Sequence, residues 1–246
     1  VDLSVKYETE RSTENAPFSF QGPTIPGFGE LDLLTFHNVA LHDIHTFSPN
    51  LVNEAIASFH RRDEPASIPT NRTTPASLGF TGIVPDDPSA AGPPFIQINS
   101  INIGNTYQGP QARRDTTWQD ADNISWIKGR NSFKFGADYR AYEQNQLFDF
   151  INNGYIYFTG DATNLGLVPV IPGLGNNPAV NDFAQGYVSG YYDQSNSNRQ
   201  GLRDKFFSAY AQDDIKVSRN FTLNLGLRWD YGAPITEIDN RVNTFR

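Results

Sequence analysis

Four histidines are available for metal or acid–base chemistry, and three of them, His37, His42 and His45, fall on one strand-like run. Side chains alternate along a strand, so His37 and His45 share a face about 27 Å apart at ~3.4 Å per residue, and His42 points the other way. Such a set cannot close around one ion, and these are read as interface or interior-lining histidines. Asp213 and Asp214 are neighbours on another strand-like run and therefore face opposite sides, which rules out an acid/base dyad. Asp214 groups instead with Gln212 and Lys216 on a wet side. Asp86 and Asp87 stand between Pro85 and Pro88 with no third and fourth oxygen donor at loop spacing, so solvation rather than calcium is expected there. Gly27-Phe28-Gly29 and Gly173-Leu174-Gly175 lack the strand before and helix after that a phosphate cradle needs, and read as turns. There is no Gly-x-Ser-x-Gly elbow, no His-Glu-x-x-His and no cysteine at all. The chain is not expected to be an enzyme, and no catalytic residue, cofactor or metal is assigned. Glycosylation-type triplets at Asn71, Asn123 and Asn220 arise easily by chance and are read as idle.

The informative residues are apolar and aromatic. In the run from Phe221 to Tyr231, Leu223, Leu225, Leu227, Trp229 and Tyr231 fall on one side, and Thr222, Asn224, Gly226, Arg228 and Asp230 on the other. An oily face that ends in aromatics, over a wet face, is how a strand of an outer-membrane barrel is built. A half-buried sheet of a soluble protein shows the same pattern when only one strand is considered. Leu223, Leu225 and Leu227 are therefore the candidate lipid-facing residues. Trp118, Trp126, Phe133, Tyr139, Phe221, Trp229 and Tyr231, near strand ends or on the oily face, are the candidate membrane-interface anchors.

Hydrophobic residues make up only 38% of the 246, yet 13% are aromatic, and 20 glycines and 16 prolines supply many turns. No 18-residue apolar stretch exists, and the most apolar segment, 165–175, is broken by Pro169 and Pro172, so any membrane crossing is by strands. A net charge of −8 with scattered arginines excludes a nucleic-acid partner. The absence of cysteine is compatible with an oxidising compartment. Because Val1 opens inside a strand pattern, without Met or a leader, the chain is expected to be a piece of something longer.

Alternation predicts strands over 1–9, 36–47, 51–61, 118–128, 132–142, 205–217 and 221–231. Short β pieces are expected near 95–103 and at 155–158. Three-residue turns, Ser48–Asn50, Gly129–Asn131 and Ser218–Asn220, alternate with long Pro/Gly-rich connections over 11–34, 62–117 and 143–204, and a fourth loop begins at Gly232. Short turns on one side and long loops on the other are the asymmetry of bacterial outer-membrane barrels. The fold class is all-β: part of one antiparallel up-and-down transmembrane β-barrel domain spanning 1–246, with about seven strands. Loop tyrosines Tyr107, Tyr155, Tyr157, Tyr187, Tyr191 and Tyr192 are the candidate contacts to an external ligand.

The segments Ser48–Glu54, Asp122–Arg140, Ser208–Asp214 and Leu223–Tyr231, with the Pro26–Gly29 loop, resemble the barrel of TonB-dependent outer-membrane receptors, the Oar-like subgroup most of all. The resemblance covers most of the chain. It implies residence in the bacterial outer membrane, and energised import powered through a TonB-type protein that pulls on a plug inside the barrel. Neither a plug nor an energy-coupling segment is recognisable here. Barrels of this kind close with about 22 strands, so the resemblance implies a partial barrel whose partners are outer-membrane lipid, the remaining strands and plug, the energy transducer and an extracellular ligand whose identity the residues do not specify. An outer-membrane adhesion or signalling barrel, and a secreted soluble all-β binding module, stand as alternatives.

Overall fold

The computed structural model describes residues 1–19, 21–174, 176–193 and 199–241. Parts of the connections expected over 11–34, 143–204 and 232–246, including Gly175 of the glycine pair, lie outside these. In chain order the strands are β1 (Asp2–Ala16), β2 (Glu30–Ser48), β3 (Leu51–Glu64), β4 (Ile68–Pro69), β5 (Phe95–Ile98), β6 (Ile101–Ile103), β7 (Gln111–Lys128), β8 (Asn131–Phe148), β9 (Tyr155–Phe158), β10 (Gly190–Tyr192), β11 (Arg199–Ser218), β12 (Phe221–Gly232) and β13 (Thr236–Glu237). The long strands β1, β2, β3, β7, β8, β11 and β12 lie side by side in chain order, each antiparallel to the next. β4 pairs with β2 and β13 with β11. A second small sheet, β10-β9-β5-β6, is built from the loops, with β5 and β9 parallel. Among the described residues, two short helices, α1 (Asp161–Asn164) and α2 (Pro178–Gln185), and two single 3₁₀ turns at Ala76–Leu78 and Pro88–Ala90 depart from the all-β pattern.

Each long strand before β12 outruns its alternating segment. β1 continues to Ala16 and β2 begins at Glu30, so the loop expected over 11–34 shrinks to 17–29, which holds Pro17, Pro23 and Pro26. β3 runs on to Glu64, β7 starts at Gln111 rather than Trp118, β8 reaches Phe148 and β11 starts at Arg199. In the β1 extension both faces are polar, Arg11 and Thr13 against Ser12 and Glu14, and in the others the apolar residues are too few or too irregular to mark a face, as in Glu30-Leu31-Asp32-Leu33-Leu34. The ladder continues because backbone groups pair whatever the side chains are, and only the hydrophobic period disappears. The turns also differ from expectation. Ser48 pairs with Leu51, Lys128 with Asn131 and Ser218 with Phe221, leaving two-residue turns rather than three. Gly129 sits at φ +64°, the left-handed conformation that such hairpin turns require.

Strict antiparallel order puts all three two-residue turns at one end of the sheet and the points where the long connections leave Ala16, Glu64 and Phe148 at the other. The sheet is open: among the described residues no strand lies beyond β1 or β12. The buried apolar cluster, Ile83, Ile98, Ile156, Phe158 and Ala179, belongs to the loop substructure and not to the main sheet. α2 helps to close that cluster. Asn177 caps it by accepting from the Ala179 amide (3.1 Å), Pro178 follows at the first turn, and Gly186 ends it at φ +75°.

Candidate functional site

Register decides which residues share a face. One row runs Leu51–Trp126–Phe133–Asp213–Leu225, the next Asn53–Ile124–Phe135–Ala211–Leu227, and two rows higher Leu41–Ala57–Asp120–Tyr139–Phe207–Tyr231. Every candidate interface aromatic, Trp118, Trp126, Phe133, Tyr139, Phe221, Trp229 and Tyr231, therefore lies on the face that carries Leu223, Leu225 and Leu227. No second layer of described polypeptide covers that face, and Leu227 and Trp229 remain 77% and 58% exposed.

The aromatics on this face form two tiers. Near the turns, Trp126 packs on Phe133 (5.5 Å between centroids) and Lys128 reaches over the Trp126 ring (5.0 Å). On β7 the upper tier lies eight residues from Trp126, where Phe59 meets Trp118 (4.5 Å), and on β12 eight from Phe221, where Trp229 meets Phe207 (5.7 Å), while Tyr139 stands six residues from Phe133 and Tyr231 two beyond Trp229. Eight residues span about 27 Å of strand, or about 20 Å of height at the usual tilt, close to the ~25 Å apolar band of an outer-membrane barrel. Trp118 and Tyr139, expected at or near strand ends, thus lie mid-strand, because β7 and β8 continue past the upper tier. Above it the same face turns polar, with Arg114 paired to Asp63 (2.7 Å) and Arg203 donating to Asn145 (3.0 Å). Aspartates interrupt the band: Asp213 accepts from Asn131 (2.8 Å) and Asp122 from Asn53, while Asp43 and Asp120 stand beside Ala55 and Ala57. Acidic residues are tolerated on such a face better than basic ones.

The opposite face is a polar wall. Asp138 pairs with Arg140 (2.8 Å) and accepts from Gln119 (2.5 Å), Arg228 pairs with Asp230 (2.9 Å), and His42 meets Glu54 (2.7 Å). Tyr210 on β11 reaches across β8 to donate to Asn123 on β7 (3.0 Å), and β8 carries Gly136 between them. A Cβ there would fall 2.3 Å from the Tyr210 ring, so glycine is what allows the ring to lie flat. The histidines divide as alternation requires, His37 and His45 on the aromatic face and His42 on the polar one. Asp214 lies on the polar side, bonded by Gln212 (3.1 Å). Asp87 serves as a cap, accepting from the Ser89 amide (2.9 Å) and hydroxyl (2.6 Å). Burial first, and then Asp149 and Asp193, pushes the neighbouring Asp86 carboxyl above its ordinary value.

At the loop end, four of the six candidate tyrosines come together. Tyr107 stacks on Tyr155 (5.4 Å), Tyr155 meets Tyr192 (5.6 Å), and Tyr192 stacks on Tyr157 (5.7 Å), with Phe95 packed against Tyr107 and Tyr155. Tyr192 keeps 53% of its surface exposed. Tyr187 and Tyr191 stay apart as single exposed rings. Alternation could not reveal this cluster, because parallel pairing of β5 with β9 brings residues 95 and 155 together across sixty positions of chain. The helix α2 was missed although Asn177-Pro178 and Gly186 mark both of its ends, because eight residues show too little periodicity. Asp182 and Asn181, which pin the loop to α2, went unseen for the same reason.

Burial, and then the phenols of Tyr107, Tyr192 and Tyr157, pushes the Tyr155 hydroxyl above the ~10 of a free tyrosine. Tyr157 is pushed the same way, chiefly by Tyr192. A phenol raised in the fold contributes its full stabilisation below its ordinary pKa and loses it as pH climbs through the raised value. Tyrosinate absorbance should therefore show a class that ionises above pH ~10, coincident with break-up of the ring cluster. Tyr155→Phe should remove one member of that class. A single unperturbed transition would contradict the geometry.

A family model for an outer membrane beta barrel domain matches residues 1–246. Among solved structures, the outer membrane transporter YddB from Escherichia coli is similar to the chain, with a TM-score of 0.49 and 12% identity. The match covers 94% of this chain and 25% of that one, so the chain spans about a quarter of its length. No curated protein matches.

Proposed function

This chain belongs to the outer membrane beta barrel domain family and lies in the bacterial outer membrane, and we propose that it forms part of the wall of a TonB-dependent transporter of the Oar-like subgroup. In this reading the aromatic face meets lipid, the polar face lines the lumen, the two-residue turns face the periplasm and the long loops face outward. The observation that carries it is the pair of aromatic tiers on one face, about 20 Å apart in height, with ion pairs and amides on the other.

Hydrocarbon does not tolerate unpaired backbone, and β1 and β12 each present an open edge, so further strands must pair with both. The exposed tyrosines and the loop substructure then form a capture surface. Passage depends on a plug and on a TonB-type energy transducer, outside this stretch of sequence. The residue resemblance supports that reading, and the uncovered leucines speak against a soluble module. A second reading, adhesion or signalling, draws on the loops having a folded cluster of their own, a surface suited to cell contact.

Binding of the whole outer-membrane protein to the periplasmic domain of TonB, followed by calorimetry, separates the two readings. Saturable association that is strengthened when ligand occupies the loops is expected for a transporter. No association at any protein concentration tested would remove energised import.

A further inference from the structure

Beyond the upper aromatic tier, toward the long loops, the two faces of the sheet separate their charges. The stretches 8–11, 35–38, 61–64, 113–116, 141–144 and 202–205 lie side by side on β1, β2, β3, β7, β8 and β11. Across them the aromatic face carries Arg11, Arg61, Arg114, Arg203 and Lys205 against Asp63 and Glu143. The polar face reverses the balance, with Glu8, Glu10, Glu64, Asp115 and Asp204 against Arg62 and Arg113. The excess of base on one face thus arises in a chain whose net charge is −8. Each base stands two or four residues past an aromatic of its own face: Arg11 past Tyr7, Arg61 past Phe59, Arg114 past Trp118, and Lys205 and Arg203 past Phe207.

Arg11 and Lys205 are exposed, and among the described residues neither charged group has a partner. Arg61 gives its Nε to Thr116 (3.2 Å) and lies over the Phe59 ring (5.2 Å), which leaves its terminal nitrogens free. Arg114 is held by Asp63 (2.7 Å), and Glu143 stands opposite Arg203 in register, so the charge left over on this face is positive. Two or four residues are about 7–14 Å of strand, or about 5–10 Å of height at the usual tilt. The headgroup layer on each side of the hydrocarbon is about 5–8 Å deep. Bases at that height meet headgroups, and their donors match the oxygens of a phosphate.

We propose that this belt binds the phosphate groups of lipid headgroups in the outer leaflet, with Arg11, Arg61 and Lys205 supplying the free donors. The proposal rests on the part of the reading above that sets lipid against the aromatic face and the long loops outside, and not on energised import. From β1 to β11 the belt crosses five strand spacings, about 24 Å, so it serves several headgroups rather than one. The acids of the polar face lie on the far side of the sheet, where they do not repel those phosphates at contact.

The test titrates the whole outer-membrane protein, in a neutral detergent, with diphosphoryl lipid A and reads bound lipid by native mass spectrometry. The same lipid stripped of both phosphates is the control. Saturable binding of the phosphorylated form, weakened by salt, is expected. Arg11→Gln, Arg61→Gln and Lys205→Gln together should lower its affinity about a hundredfold, at about fivefold per base, whereas Arg62→Gln with Arg113→Gln on the other face leaves it unchanged. Lys205→Gln alone, at an exposed position, gives a loss of about fivefold should the triple variant fail to fold. Equal binding of the stripped lipid, unchanged affinity in the variants of the aromatic face, or an equal loss from the polar-face pair would overturn the proposal. Displacement by millimolar inorganic phosphate would also overturn it, as the mark of a site for the free ion. Orientation is read separately, by labelling Leu78→Cys, in an exposed loop position, with a membrane-impermeant maleimide on intact cells. Labelling above that of the unchanged protein, without phosphate-dependent binding, sinks the headgroup site alone. No added labelling sinks the orientation, and the site with it.

Discussion

Leu225→Arg is expected to destabilise the whole barrel in lipid by about 2–4 kcal/mol, the cost of a cation on the lipid face near the bilayer midplane. Leu225 lies between the two aromatic tiers, four residues after Phe221 and four before Trp229, and is 53% exposed with no described polypeptide over it. The neighbouring Asn224→Arg changes the same charge on the opposite face, where Arg228 and Arg140 already sit, and should cost only a few tenths of that. Reversible unfolding of the barrel from vesicles in denaturant reads both values. Equal costs for the two variants would mean that lipid does not touch the leucine face. A larger cost for Asn224→Arg would invert the barrel.

The second large effect lies in the loops. Asp182 is completely buried, and its carboxylate accepts from the amides of Ala162 (3.0 Å) and Thr163 (2.9 Å) and from the Thr163 hydroxyl. It thereby satisfies the free amides at the start of α1 from a position on α2. Beside it, Asn181 accepts from the Ile171 amide (2.9 Å) and donates to the Pro169 carbonyl (3.2 Å). Asp182→Ala leaves buried amides without an acceptor and should cost the loop substructure about 3–5 kcal/mol. Asp182→Asn keeps an acceptor and should cost less. Hydrogen exchange across 159–192 reports this directly: amides in α1 and α2 should lose protection, while those of β7 and β8 keep theirs, since the main sheet does not lean on the cluster. Loss of protection throughout the sheet would show that loops and barrel fold as one unit.

On β8 and β12 the sequence was legible because an oily face opposite a wet one leaves a period of two in the side chains. Leu223 to Tyr231 and Phe133 to Tyr139 declare their faces without a structure. The polar ends of the strands next to the long connections were illegible for the same reason. Once Arg11, Ser12, Thr13 and Glu14 meet water on both sides, no hydrophobic period is left to read, and only the backbone ladder shows that the strand goes on. The tyrosine cluster was legible as a set of loop tyrosines and no further. Which of them meet depends on the parallel pairing of β5 with β9, a contact between distant segments that no local pattern encodes.

By itself the sequence determined the crossing element and the faces it presents: strands with one oily and one wet side, no apolar run long enough for a helix to span, and no thiol. Those properties are local, since they depend on which side chains alternate and which are absent. The tertiary structure alone decided the register that gathers the aromatics into two tiers, the glycine under Tyr210 and the capping of α1 by Asp182. Each of these joins residues far apart in the chain, where geometry rather than composition determines whether a polar atom finds a partner.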